Sequence, residues 1–328
     1  MISRDKLVNV AELAVGSETK NVPAVLLSAE EKLQKTGGTY LDIRILDGFG
    51  KVDLKMFNSS RTTLDSKCVR VGEVVDMDIR IQQFRNDKSA VVDDLRPTST
   101  SAVPRDFVVS APIDIDETFE KIISYLDSIS RSNPGDRYAP ISDLARELLI
   151  ENKEAFKFSG AAKAMHHELI GGLVYHTYRM LQTASRICSV YPRLDSVLLC
   201  SAVAIHDIAK IREMDTSELG DITYTIPGQL MGHLYMGAEM VHDFASANPG
   251  KYDPEKVMLL QHMILSHHLN PEWGAVKGPA TAEAQMLHYI DQIDAKMYMY
   301  ENHFEDLKPG EITDKLPYGL ENNVYKPL

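Results

Sequence analysis

The chain has 328 residues and a mass of 36.7 kDa, with 44% hydrophobic and 25% charged residues, a composition that excludes a disordered, collagen-like or fibrous protein. Its formal charge is −12, which taken whole argues against a polyanionic partner. The excess is uneven, however: residues 1–97 carry 15 basic and 15 acidic side chains, and the rest of the chain 20 against 32. Two regions of different electrostatics follow, and the length itself favours about two domains. All 11 histidines, from His166 to His303, lie in the acidic region, and imidazole with carboxylate is the ligand set of divalent metals. The three cysteines, Cys68, Cys188 and Cys200, are odd in number and lack metal-site spacing, so a reducing, cytoplasmic setting is expected. The longest apolar run, Val197 to Ile205, is too short to span a bilayer, so no membrane association is expected.

Between Val22 and Leu95 apolar and polar residues alternate with period two. The runs VPAVLLSAEEKLQ, TYLDIRILD and KVDLKMF read as strands, with a turn at Gly48–Gly50. A short helix around Arg61–Cys68 follows, then EVVDMDIRIQQF and SAVVDDLRP, joined by a turn at Arg85-Asn86-Asp87-Lys88. Five strands with one helix after the third suit a closed barrel of the OB type, assigned to residues 1–97. The stretch 98–112, rich in Pro, Ser and Thr, reads as a linker. Beyond it, in 113–328, the periodicity is helical. Helices are expected over 114–130, 140–152, 169–190, 195–209, 232–247, 253–268 and 281–302, interrupted by Pro134, Pro192, Pro249 and Pro271. The expected fold class is therefore an all-β OB barrel followed by an all-α domain.

The sharpest chemical feature is His206-Asp207 at the end of an apolar helix. Burying both groups unpaired would cost several kcal/mol, and a divalent ion removes that cost because imidazole and carboxylate both ligate it. A lone His-Asp pair is more often a core histidine capped by its neighbour. Here, though, His176 lies inside another apolar helix and Asp291 inside a third, with Gly232-His233 at a helix start and Ser266-His267-His268 at a helix end. Six such coincidences in one domain argue for a common centre.

The order of His176, His206-Asp207 and the distant Asp291 resembles the HD superfamily of metal-dependent phosphohydrolases. The additional His233 and His267-His268 resemble its two-metal subset. The stretches HHELIGGLVYH (166–176), YTIPGQLMGH (224–233), LSHHLNPEWG (265–274), DQIDAKM (291–297) and ENNVYKPL (321–328) resemble the YhaM-type 3′-to-5′ exoribonucleases, which join an OB fold to an HD domain. The resemblance implies one ion held by His176, His206, Asp207 and Asp291 and a second by His233, His267 and His268, with Asp207 bridging. Manganese is the expected ion, with Fe, Co, Ni, Zn or Mg as alternatives. It further implies hydrolysis of single-stranded RNA, and of single-stranded DNA as a second candidate, to nucleoside 5′-monophosphates through metal-activated water. A homo-oligomer is also expected.

Further residues complete the candidate site. Lys210 follows Asp207 by three residues and is expected on the same face, either neutralising a substrate phosphate as a catalytic partner of Asp207 or lying solvated at the helix end. Lys163, His166, His167 and Glu168 could edge the pocket, with Lys163 and His167 as substrate contacts, or form a plain helix start. Asp294 and Lys296 could support the centre from behind. His242, His262 and His303 fall outside these motifs, and Met286, Met297 and Met299 are expected in packing. On the barrel, Tyr40, Phe57, Phe84, Arg44 and Lys55 are candidates for stacking bases and tracking a strand, although an aromatic taken singly in such a barrel is more often core. Two rivals remain: a phosphohydrolase of small nucleotides or cyclic dinucleotides whose OB fold is regulatory, and a non-catalytic RNA-binding protein with a structural metal.

Overall fold

A computed structural model describes residues 7–34, 37–84, 87–131, 135–160, 169–217, 219 and 222–328. The described residues divide into two compact units, one drawn from 1–109 and 217–221, the other from 110–216 and 222–328.

The first unit is a closed five-stranded barrel of β1 (Glu18–Leu33), β2 (Thr39–Leu46), β3 (Lys51–Phe57), β4 (Val74–Phe84) and β5 (Asp87–Pro97) in the order β1-β2-β3-β5-β4. That order, with a short parallel pairing of β3 to β5, is the Greek-key closure of an OB fold. β1 closes the barrel by serving two neighbours: its first half pairs with β4 and its second with β2, and the register shifts between Thr19 and Val22 and between Leu26 and Ser28. Such irregularities bend a strand enough to round a small barrel. Period-two alternation sends Leu41, Ile43 and Ile45 of β2, Leu54 and Met56 of β3, and Met77, Ile79 and Ile81 of β4 inward. Helix α1 (Arg61–Ser66) adds Leu64 to the same core. The turn expected at 85–88 is shorter, since β5 already begins at Asp87; Arg85 and Asn86 lie outside the described residues. Within the stretch read as a linker, Pro104–Phe107 forms a 3-10 turn, and Phe107 is fully buried against Val25, Leu46 and Val74. One large ring thus finds more stabilisation in the barrel's apolar surface than in water.

The second unit is a helical bundle: α2 (Ile115–Ile129), α3 (Ile141–Glu151), α4 (Lys153–Phe158), α5 (Gly172–Val190), α6 (Ser196–Ile205), α7 (Lys210–Glu213), α8 (Ile226–Ala247), α9 (Pro254–Ser266) and α10 (Ala282–Asp306). Side-chain caps start five of them, Asp114, Asp195, Thr225, Asp253 and Thr281 each accepting a backbone N–H of the first turn. α6 is buried on every side from Leu198 to Ile205 and packs against α2, α3, α5, α9 and α10, as expected of a helix apolar all round. The unit is not purely helical: β6 (Met214–Thr216) and β7 (Ile222–Tyr224) form a small antiparallel pair. Several helices also differ from the periodicity. α6 stops at Ile205 and a turn carries His206 to Ala209; α4 is an extra short helix; and α8 begins at Ile226, with Gly232 as an interruption inside it. After α10 the chain folds back, and Leu320 and Val324 pack on Met299, while Ile312 bridges to Tyr325. Among the described residues no helix is long and apolar enough to cross a membrane.

Candidate metal centre

Five elements of the helical unit bring seven side chains to one place: His176 from α5, His206 and Asp207 from the turn after α6, His233 from α8, His267 and His268 from the end of α9, and Asp291 from α10. Their ligand-type atoms fall into three overlapping groups, each with all atoms within 4.8 Å of one another: His176/His206/Asp291, His206/Asp207/His267 and His233/His267/His268. Imidazole ring centres lie 4.4 Å apart for His267 and His268, 5.0 Å for His206 and His267, and 5.4 Å for His176 and His206.

The backbone and its neighbours fix which nitrogen of each ring faces the centre. His206 and His267 use the same device, Nδ1 lying 2.9 Å from the carbonyl of Val203 and 2.8 Å from that of Ile264, three residues back along their helices. A carbonyl only accepts, so Nδ1 carries the proton in both and Nε2 presents a lone pair. His268 Nδ1 donates likewise to the Trp273 carbonyl at 2.7 Å. His233 Nδ1 meets the Glu213 carboxylate at 2.9 Å, and His176 Nδ1 meets Asp294 at 2.7 Å. The resulting lone pairs converge: Nε2 of His206, His233 and His267 and Oδ1 of Asp207 are buried with no hydrogen-bond partner. Leaving such groups unsatisfied costs about 1–3 kcal/mol each, whereas a cation among them satisfies all at once.

Asp207 stands at the middle. Its Oδ2 lies 3.3 Å from His206 Nε2 and 3.8 Å from His176 Nε2, and its Oδ1 lies 3.4 Å from His233 Nε2 and 3.7 Å from His267 Nε2. Separations of this size suit donors that share an ion at about 2.0–2.2 Å each. The residues present therefore fit a divalent metal.

Electrostatics agree with that fit. Burial alone would raise the Asp207 carboxyl, yet Lys210 and His206 hold it well below its usual range. Burial would likewise raise Asp291, and the hydrogen bond and charge of His176 lower it. His267 is pushed well down by burial and by His268, and His268 by burial and His233, so both are neutral imidazoles, the form that ligates. Burial opposes a proton on His176, but Asp291 and Asp294 outweigh it and push the group up to about 9. The carboxylates around this ring thus demand a positive charge.

Lys210 is neither solvated nor on a continuing helix. It is buried, and its Nζ lies 2.6 Å from Asp207 Oδ2. Asp294 sits behind His176 and is itself held by Arg179 Nε at 2.6 Å, whereas Lys296 turns to the Gly319 carbonyl. Two residues that sequence reasoning passed over also touch the site. Glu213 accepts from His233 through both the ring and the backbone N–H, the latter at 3.0 Å. His288 donates from Nδ1 to the His267 carbonyl at 2.7 Å. The one available signal for Glu213 lay in glycines: a Cβ on Gly228 would fall 2.1 Å from the Glu213 carbonyl oxygen, so only glycine lets α8 approach α7 this closely. Lys163, His166, His167 and Glu168 lie outside the described residues.

On the barrel, Tyr40, Arg44, Lys55 and Phe57 share the outward face of β2 and β3. Tyr40 pairs with Phe57, Asp42 with Lys55 and Arg44 with Asp53. The Tyr40 and Phe57 ring centres are 5.9 Å apart, and Lys55 Nζ lies 5.8 Å from the Tyr40 ring centre. Phe57 and Phe84 are exposed rather than core. Arg44 is engaged with Asp53 at 2.6 Å, a solvated pair that a phosphate could replace at little cost.

A closed barrel in OB order, and a helical unit in which His, His-Asp and Asp from separate helices converge, define a two-domain HD protein. The family model for the HD domain matches residues 173–296. Over 92% of its length the chain is 32% identical to the 3′-5′ exoribonuclease YhaM of Halalkalibacterium halodurans, covering 91% of that protein. It is also 32% identical over 94% of its length to the 3′-5′ exoribonuclease YhaM of Bacillus pumilus, covering 95% of it. The chain belongs to the YhaM family of HD-domain proteins. Among solved structures, the second OB-fold domain of replication protein A from Methanococcus maripaludis is 18% identical, covering 29% of this chain and 97% of that one at a TM-score of 0.23.

Proposed function

We propose that this chain is a metal-dependent exoribonuclease that shortens single-stranded RNA from its 3′ end and releases nucleoside 5′-monophosphates. The observation that carries the reading is the convergence of buried, unpartnered imidazole nitrogens on the two oxygens of Asp207, and the activity named for the two relatives supplies its direction.

His176, His206 and Asp291 with Asp207 would hold one divalent ion, and His233, His267 and His268 a second, with Asp207 between them. Ions held there, manganese first, supply Lewis-acid activation of water and charge neutralisation at the phosphate. The chain's own residues do the rest. Asp294, Glu213 and the carbonyls of Val203, Ile264 and Trp273 hold the five rings in one tautomer and orientation. Lys210, beside Asp207 and lining the adjoining cavity, places a fixed positive charge where a scissile phosphate would sit. Tyr40 and Phe57 offer rings for bases, and Arg44 and Lys55 offer charges for the backbone, on a barrel that carries no net charge to repel it. The paired rings on the outward barrel face favour a polymer over a small nucleotide. We further propose that the protein works in the cytoplasm as a homo-oligomer and also accepts single-stranded DNA.

The test is incubation with Mn²⁺ of 5′-end-labelled single-stranded RNA, its DNA counterpart, a circular RNA and a panel of nucleotides. Progressive shortening of the RNA with mononucleotide release is expected. Internal cuts in the circle, or turnover of free nucleotides alone, would overturn the reading.

A further inference from the structure

The seven-residue centre opens into a cavity of about 560 Å³, within the range of small-ligand sites. Its walls join two chemistries. His233, His268 and Asp291 come from the centre, and three aromatic rings, Tyr224, Trp273 and Tyr318, come from around it. Trp273 and Tyr318 are not core, at 56% and 78% exposed, and their rings border the space where a phosphate at the centre would carry its nucleoside. Trp273 is the only tryptophan in the chain.

The loop that carries Trp273 is built to hold it still. Its carbonyl accepts the 2.7 Å bond from His268 Nδ1, so the backbone at Trp273 is tied to the centre. Its N–H donates to Asn270 at 3.0 Å, and Val276 N–H returns to Leu265 at 3.2 Å. Leu269 and Gly274, both at positive φ, turn the chain at either end, and Ala275 is buried beneath. A loop held at these points need not be ordered when a ligand binds beside it.

The segment after α10 forms a further wall of the cavity. After α10 the chain returns across it, the Gly319 carbonyl accepts from Lys296 Nζ, and Leu320 and Val324 pack on Met299. Tyr318 and Gly319 line the cavity as a result.

We propose that this cavity is the binding site for the terminal nucleoside of the RNA, with Trp273 as the stacking partner of its base and the 318–319 segment as the stop that admits only a chain end. This rests on the exoribonuclease reading. It adds the residue that holds the last base and a structural reason for acting at an end. Stacking is tolerant of base identity, so the site takes purine and pyrimidine ends alike.

The single tryptophan makes the test direct on the full-length protein with Mn²⁺. Titration with 5′-AMP quenches its fluorescence saturably, and ribose 5-phosphate, with the same sugar and phosphate but no base, does not. By calorimetry, Trp273→Phe binds 5′-AMP within about threefold of the wild type. Trp273→Ala binds it about five- to 150-fold more weakly, the loss expected for one base stack, with bound metal unchanged by elemental analysis. An RNA ending in one abasic residue raises KM for the first cleavage by the wild type and not by Trp273→Ala, a difference that a merely structural tryptophan would not produce. Absent or base-independent quenching, or wild-type affinity in Trp273→Ala, would overturn the proposal. If RNA shortens without quenching, this site is wrong and the exoribonuclease reading stands; if 5′-AMP quenches but no RNA shortens, that reading is wrong.

Discussion

Asp207 has one oxygen toward His176 and His206 and the other toward His233 and His267, so a single carboxylate balances both halves of the imidazole cluster. Asp207→Ala is expected to abolish RNA shortening while leaving single-stranded RNA binding largely intact, checked by pairing a nuclease assay with anisotropy; a well-folded variant that still degrades RNA would refute the assignment. Glu213 acts one step further out, fixing the His233 ring through Nδ1 and its backbone through N–H. Partners of this kind are typically worth about 10–100-fold in metal affinity. Glu213→Ala should therefore weaken Mn²⁺ binding by that order in calorimetry, and Glu213→Gln, which keeps an accepting oxygen, should recover part of it. The sequence marked Asp207 plainly, through its apolar setting. Glu213 was marked by no spacing rule, because its partner lies 20 residues away.

At the scale of elements, α8 shows how a break can serve a site. Gly232 sits at φ 72°, ψ 159° inside the helix, a backbone region close to glycine-only, where another residue costs about 1–3 kcal/mol. The break lets the next residue, His233, turn its N–H to Glu213 instead of to the preceding helical turn. Gly232→Ala should lower unfolding stability by that amount in urea titration and weaken Mn²⁺ binding as well. An unchanged metal affinity would show that the kink is incidental to the ring's placement. Periodicity placed a helix start at residue 232 because glycine reads as punctuation. In fact Thr225 caps the helix, and proline follows in its first turn, a start signal that the exposed residues Ile226, Leu230 and Met231 disguised by supplying no inward face.

At the scale of the molecule, the barrel carries no net charge and the rest of the chain carries all of the −12, so under the proposed function the outward face of β2 and β3 belongs to the unit whose net charge does not repel a polyanion. The double variant Tyr40→Ala/Phe57→Ala should weaken binding of long single-stranded RNA by at least about fivefold per ring lost, leaving cleavage of a dinucleotide at its wild-type rate. An unaltered affinity for long RNA would move the interface elsewhere. The buried centre also ties metal to folding: an ion present at about 100 times its Kd stabilises by roughly 2.7 kcal/mol. Chelation should therefore lower Tm, Mn²⁺ should restore it, and Asp207→Ala should abolish the difference in a thermal-shift measurement.

What the sequence determined by itself is whatever depends on local periodicity and composition. Alternation at period two specifies the five strands, the apolar run before His206 specifies a central helix, and the separation of charge and histidine between the two regions specifies that metal chemistry belongs to one of them. These are properties of neighbours along the chain. What the tertiary structure decided depends on groups brought close from far apart: that seven side chains from five elements share one centre, that Nδ1 of each ring is engaged so that Nε2 faces inward, that Lys210 is buried against Asp207, and that Trp273 and the returning C-terminal segment enclose a cavity beside them. The reason is physical. Hydrogen bonds and packing act over a few ångströms of space, whereas sequence patterns report only the surroundings that a residue shares with the next turn or the next strand position.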